Sequence, residues 1–397
     1  MTELGKGTTS YYDNTRLADY TDDAVETGRG SVDMPFLLLT LILLAVGVIM
    51  VLSASFARAY YDPGNDTGGV ATYYFARQLG FGVAGVVAMY FASKLPLSFY
   101  RRFSRPLMLT TLVLLIAVIL IGLVGGGAQR WIGFGTFTVQ PSEIAKLAVI
   151  LTFADMICKR KNKMTDFRKG LVPFLLILAP VTLLVLVEPH LSGAIIIFAV
   201  GMIMLYLGGA KIKWLAAILV PALGLCALFV VLFPHASTRI EVWLNPLADP
   251  LGDGWQIAQS LYAVGSGGLM GLGLGQSRQK YLYLPEEHND FIFAVVCEEL
   301  GFIGACLILA LFALLIIRGF WLAMHAKSRF DFLVCGALTS LLALQVILNV
   351  AVVTSMVPCT GISLPFFSYG GTALLMQLGE MGLILSMSRD IPGKKPG

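Results

Sequence analysis

Two acids, Asp249 and Asp253, stand four positions apart in the segment NPLADPLGDGWQIAQS, residues 245–260. Carboxylates in such a setting can bind a cation, cap a helix, or accept a proton from a hydroxyl nucleophile. Pro246 and Pro250 fix the local backbone, and Asp249, preceding Pro250, is held out of the helical region. Turn and cap roles are the commoner use of either acid. A second constellation is Glu143 and Lys146 in VQPSEIAKLAV, one helical turn apart, so that the two charges can pair. Such a pair either steadies packing or lines a polar path. Glu298, Glu299 and Glu380 lie in apolar runs with no partner nearby in sequence. Buried carboxylates of this kind are protonated or pair with bases on other elements. No Ser/His/Asp grouping, no phosphate-binding glycine motif and no Cys/His metal spacing competes for the chemistry. The six cysteines read as small apolar core residues, and no exported disulfide is expected.

The elements that must hold these residues are membrane helices. The chain of 397 residues is 57% hydrophobic and 13% charged, about half the charge of an ordinary soluble domain, with a mean hydropathy of +0.80. Apolar runs long enough to cross a bilayer lie near 35–55, 72–93, 106–124, 140–158, 171–188, 191–208, 212–233, 290–317, 332–356 and 366–388. The expected fold is therefore an all-α integral membrane protein of ten transmembrane helices. Lys and Arg concentrate in one set of connections, above all Lys94 to Arg105 and Lys159 to Lys169, which places both termini in the cytoplasm. The net charge of +4 is spread over loops and reports topology, not a nucleic-acid partner. Residues 1–33 read as a disordered cytoplasmic tail, 34–389 as one transmembrane domain, and 390–397 as a short cytoplasmic tail.

The largest extracytoplasmic loop, about 234–289 between helices 7 and 8, carries Asp249 and Asp253. Trp255, Ala258 and Tyr262 recur there at helical spacing with Gln256, Gln259 and Ser260 opposite, which predicts an amphipathic helix at the membrane surface. The glycines of GSGGLMGLGLGQ allow sharp turns or close backbone approach. A loop of this length and rigidity is built for function.

Three separated segments, GAQRWIGFGTFTVQPSEIAKL, the loop from NPLADPLG through LPEEHNDFIFAVVCEELG, and TGISLPFFSYGGTAL, together resemble the SEDS family (shape, elongation, division and sporulation). Within it, GLGQSRQKYLYLPEEH is more similar to the division and sporulation branches, FtsW and SpoVE, than to the elongation branch. The resemblance implies a peptidoglycan glycosyltransferase that polymerises lipid II into β-1,4 glycan strands at the outer face of the cytoplasmic membrane. It also implies work at the division septum with a class B penicillin-binding protein and other divisome proteins. The family's essential aspartate falls on Asp249, and Asp253 falls where relatives vary. The motif residues Arg130, Trp131, Glu143, Lys146, Glu286, His288 and Asp290 match as substrate-binding or structural support. Two departures stand out: His190 in EPHLSG replaces an aspartate of relatives, and SYGGTA replaces SYGGSS.

The implied chemistry is inversion, in which a hydroxyl attacks opposite a departing pyrophosphate. Asp249 on the outer side suits the general base. Arg130, Arg239, Arg278 and Lys280 are candidates to neutralise the leaving group, and a divalent cation such as Mg or Mn is another. Two other classes fit the same composition: a lipid II flippase using Glu143 and Lys146, and a scaffold recruiting the cross-linking enzyme. A sporulation-specific polymerase is the nearest variant of the first reading.

Overall fold

The structure is a computed structural model and describes residues 29–61, 67–125, 128–134, 137–188, 190–232 and 234–391. Most of the predicted tail, residues 1–28, and residues 392–397 lie outside the described residues. A helix occupies each of the ten apolar stretches: α1 (Met34–Tyr61), α2 (Tyr73–Lys94), α3 (Leu97–Ile121), α4 (Pro141–Lys159), α5 (Val172–Val187), α6 (Leu191–Leu207), α7 (Ile212–Leu232), α10 (Ile292–Met324), α11 (Arg329–Val353) and α12 (Gly371–Ser388). Two more, α8 (Pro234–Leu244) and α9 (Trp255–Ser266), belong to the large loop. Among the described residues, six helices are long and apolar enough to cross a membrane by length and composition. The chain is an all-helical membrane protein with one small sheet.

Several boundaries differ from the expectation, each for a local reason. Helix α3 starts at Leu97, so Arg101, Arg102 and Arg105 lie on it, and Pro106 sits inside the helix. Helix α10 continues past residue 317, because Arg318 is held on it by a two-pronged pair with Asp33 at 3.0 and 2.6 Å. Asp33 also accepts from the Phe36 amide at the start of α1, which gives the first helix a cap. The segment 29–33, expected to be part of a free tail, is therefore fastened. Arg29 pairs with Asp390 and donates to the carbonyl of Lys94, and the Gly30 amide donates to the Arg389 carbonyl.

The connection between α3 and α4 holds an antiparallel sheet, β1 (Leu123–Gly125), β2 (Ala128–Phe134) and β3 (Phe137–Val139), in the order β1-β2-β3. The all-α expectation missed it because two of the three strands have only three residues, too brief for an alternating pattern to show. In register, Leu123 faces Trp131 and Ile132 faces Val139.

Packing pairs α2 with α12, α3 with α4, and α10 with α11. The α2–α12 contact is close because Gly85 faces Leu378 and Gly382 faces Met89 and Ala92, the small-residue packing typical where lipid gives no hydrophobic drive between helices. Helix α4 is buried along most of its length, as is the first half of α10. Helix α7 presents exposed side chains on nearly every face and packs mainly against α8.

Candidate active site

Asp249 sits in the turn that joins α8 to α9. Its Oδ1 accepts the Gly252 amide at 3.0 Å and its Oδ2 the Asp253 amide at 3.3 Å. The Asp249 carbonyl accepts the Gly254 amide at 3.1 Å, closing the turn one residue before α9. A Cβ at position 252 would collide with the Asp249 carboxylate, so glycine there is a condition of the geometry. The side chain itself remains exposed. Its oxygens are aimed by backbone donors while their remaining lone pairs face outward.

The ends of α8 and α9 are anchored below. Arg239 donates to the carbonyl of Cys359 and Trp243 Nε1 to that of Ser355, both at 3.1 Å. Ser260 Oγ donates to the carbonyl of Val353 at 2.8 Å. Between the helices and this anchor lies a cavity of about 620 Å³ lined by Arg239, Trp243, Asp253 and Gln256 among others. The acid facing that cavity is Asp253. The expected division of faces on α9 holds only in part: Ala258 is buried as expected, but Gln259 and Ser260 are buried too, whereas Tyr262 is 46% exposed. Ser260 turns inward because it meets the α11 terminus, where a backbone carbonyl needs a donor.

The second half of the loop is pinned to the membrane helices by buried charge. Lys280, only 2% exposed, places its ammonium 2.9 Å from Glu299 and 3.2 Å from Ser53 on α1. Ser53 Oγ in turn donates to Glu299 at 2.7 Å. Glu298 collects the Ser277 hydroxyl and the Arg278 amide, the latter at 2.9 Å. Thus Lys280 is a buried peg, while Arg278 holds its place by its backbone and stays exposed. Of the three glutamates that had no partner nearby in sequence, Glu298 and Glu299 find theirs about twenty residues upstream.

These bonds form where α10 breaks. Gly301 has φ 67° and ψ −172°, a conformation nearly confined to glycine. The segment after α9 fills the break: Leu272 and Gly273 donate to the carbonyls of Glu298 and Glu299 at 3.0 Å, and Phe302 donates back to Gly268 at 2.8 Å.

A third cluster gathers the remaining motif residues. Glu287 pairs with Arg58 of α1 through both oxygens at 2.7 and 2.8 Å, and His288 lies against Tyr74 and Tyr369. Asn289 donates to Glu286, and Asn349 of α11 holds the Asp290 carbonyl at 2.8 Å. Arg130, on β2, faces Asp290, Arg239 and Glu188; burial lowers its pKa, with the two acids opposing. Trp131 beside it is half-buried. Asp290, ahead of α10, is raised to about 6 by burial and then by Glu286. Glu188, just beyond the end of α5, is raised to about 7 by burial, with Arg130 opposing. His190 is lowered to about 3, again chiefly by burial, so it is neutral at ordinary pH. The expected pair in α4 is formed, Lys146 Nζ lying 2.6 Å from Glu143.

The structure therefore brings Arg130, Arg239 and Asp290 into one electrostatic neighbourhood and sets Asp249 on the exposed turn. Arg58, Ser53 and Asn349 were not expected from sequence; their partners Glu287, Glu299 and Asp290 lie 59 to 246 positions away, beyond any local pattern. Among the described residues no group of three or more His, Cys, Asp or Glu is placed to hold a metal ion.

Comparison with known proteins places this arrangement among relatives. A family model covering FtsW, RodA and SpoVE, described as "Cell cycle protein", matches residues 34–391. Stage V sporulation protein E of Bacillus subtilis (strain 168) is 42% identical over 366 residues, which cover 91% of this chain and 98% of that protein. A Trichlorobacter lovleyi protein named probable peptidoglycan glycosyltransferase FtsW is 37% identical, covering 90% and 93%. Among solved structures, a chain from a study of how a peptidoglycan synthase complex coordinates polymerization and crosslinking superposes with a TM-score of 0.74. It is 28% identical and covers 90% of this chain and 98% of that one. The crystal structure of the rod shape determining protein RodA of Thermus thermophilus gives 0.67 at 26% identity, covering 91% and 98%.

Proposed function

Because the chain belongs to the FtsW/RodA/SpoVE family, we propose that it is a peptidoglycan glycosyltransferase polymerising lipid II during septal wall synthesis, with Asp249 as general base. Ten helices cross the cytoplasmic membrane, both ends lie inside, and the α8–α9 turn stands on the outer face where glycan is laid down. The observation that carries this reading is the Asp249 turn itself. A general base must be reachable by the substrate hydroxyl and fixed in direction. An exposed carboxylate aimed by two backbone amides meets both demands.

In this scheme Asp249 takes the proton from the acceptor 4-hydroxyl as its oxygen attacks the anomeric carbon of the donor from the face opposite the pyrophosphate. The bond to the pyrophosphate breaks and inversion gives the β-1,4 linkage. Arg130, with Arg239 as its neighbour, supports the negative charge that builds on the leaving group. Lys280 has a different part: its charge is held by Glu299, and it fixes the loop against α1 and α10. A class B penicillin-binding protein is the partner that cross-links the strand. The relative whose structure concerns polymerization and crosslinking together supports that pairing.

The test is polymerisation of fluorescent lipid II by the purified protein with its class B partner, read on gels. Removing a general base lowers the rate by roughly 10²–10⁴-fold, so Asp249→Asn should form polymer at least about a hundredfold more slowly at matched folding. Equal polymer from both proteins removes Asp249 from the mechanism. An intact complex that forms none with either protein, but moves lipid II across vesicles, replaces the polymerase reading by the flippase.

A further inference from the structure

The cavity between α8 and α9 contains an acid, Asp253, that the reaction above does not use, and a base, Arg239, that it uses only as the neighbour of Arg130. Asp253 faces it with a carboxylate that, among the described residues, makes no hydrogen bond or ion pair of its own, while its amide serves the Asp249 turn. Arg239 has one guanidinium nitrogen on the Cys359 carbonyl and further donors left over. Gln256 and Trp243 complete a wall with an amide and a large aromatic surface, and Trp243 is immobilised by its bond to Ser355. A volume of about 620 Å³ falls within the range of small-molecule pockets.

We infer that this cavity is a saccharide subsite, in which Asp253, Gln256 and Arg239 hydrogen-bond the hydroxyl and acetamido groups of an uncharged sugar ring packed against Trp243. The inference rests on the polymerase reading for the identity of the sugar. Three features select a sugar over the pyrophosphate. An unpaired carboxylate in the wall repels phosphate but accepts from hydroxyls. The lining mixes one acid, one base and neutral polar groups, the set needed for a polyol that donates and accepts in turn. The aromatic surface suits the apolar face of a pyranose ring.

The experiment measures binding without turnover. The full chain in complex with its transpeptidase is titrated by calorimetry with the disaccharide and tetrasaccharide released from uncross-linked glycan, which carry neither lipid nor pyrophosphate. Wild type should bind them, and pyrophosphate should not displace them. Asp253→Ala and Gln256→Ala alter side chains at the cavity wall and should each weaken binding about tenfold, the loss of one hydrogen bond to a polar or charged group. With lipid II, Asp253→Ala should raise KM by a similar factor and leave kcat within about twofold, because a subsite lost equally from ground and transition states acts on KM. Three results overturn the inference: no fragment binding by wild type, equal binding by wild type and both variants, or displacement of the fragments by pyrophosphate. Fragment binding that needs Asp253 in a protein that makes no polymer would sink the polymerase reading and leave the subsite standing. Polymer formation with Asp253-independent binding would do the reverse.

Discussion

The ammonium of Lys280 lies 2.9 Å from Glu299 in a site where both side chains are almost fully buried. Breaking one half of such a pair leaves an uncompensated charge and costs about 3–5 kcal/mol, whereas removing both halves costs much less. Lys280→Met should therefore lower the thermal unfolding midpoint in detergent sharply, and the double change with Glu299→Gln should restore much of it. A double variant as unstable as the single one would show that the pair is not the peg. Glu188 gives a second prediction of this scale. Its folded pKa is about 7 against an ordinary value of 4.5, so the folded state binds the proton more tightly. That contribution is complete below pH 4.5 and lost as pH rises through 7. At about 1.4 kcal/mol per unit it amounts to roughly 3 kcal/mol at most. Thermal stability should fall between pH 5 and 8, and Glu188→Gln should flatten the fall; an unchanged slope would discard it. What sequence reveals at this scale follows distance along the chain. Glu143 and Lys146 were legible as a pair because one helical turn separates them. Lys280 was legible only as a base, since its partners are on α1 and α10 and nothing local points to them.

At the scale of elements, the apolar runs located the membrane helices, because twenty consecutive lipid-compatible side chains leave few alternatives. Their ends were less legible. Arg318 reads as a loop residue until Asp33, 285 positions away, is seen to neutralise it on α10. The sheet was missed because its strands, two of them only three residues long, carry no periodic signal, and it is the sheet that carries Arg130 and Trp131. The polar side of α9 was misassigned at Ser260, because polarity alone cannot tell water from a carbonyl at the end of α11. The break in α10 offers the sharpest test. At Gly301 the backbone conformation excludes other residues, and an added Cβ would strike the backbone of Leu269, Met270 and Gly271. The backbone strain alone is worth about 1–3 kcal/mol. Gly301→Ala should thus reduce the yield of monodisperse protein in size-exclusion chromatography, whereas Gly379→Ala on α12, where a Cβ meets nothing within 4 Å, should not. Equal yields would show that the break is not required.

For the whole molecule, the proposed topology assigns the α8–α9 turn to the outside and the segment between α4 and α5 to the inside. Leu251 is 83% exposed on that turn, and Lys161 is exposed on that segment. In a background without native cysteines, Leu251→Cys should react with a membrane-impermeant maleimide in intact cells, and Lys161→Cys only after the membrane is opened. The opposite pattern would invert the molecule. The described chain is also closed upon itself at the other face, where Arg29 joins Asp390.

The backbone bonds between residues 268–273 and the broken turn of α10 have one more consequence. That stretch of loop supplies hydrogen bonds that a continuous helix would have made for itself, so loop and helix are complementary halves of one object. In an exchange of parts between relatives, the loop is not a transferable module: a graft cut at the start of α10 separates a lock from its key. The smallest unit that could be exchanged intact runs from Gly268 through the far side of Gly301, since the bonds that close the break span those residues.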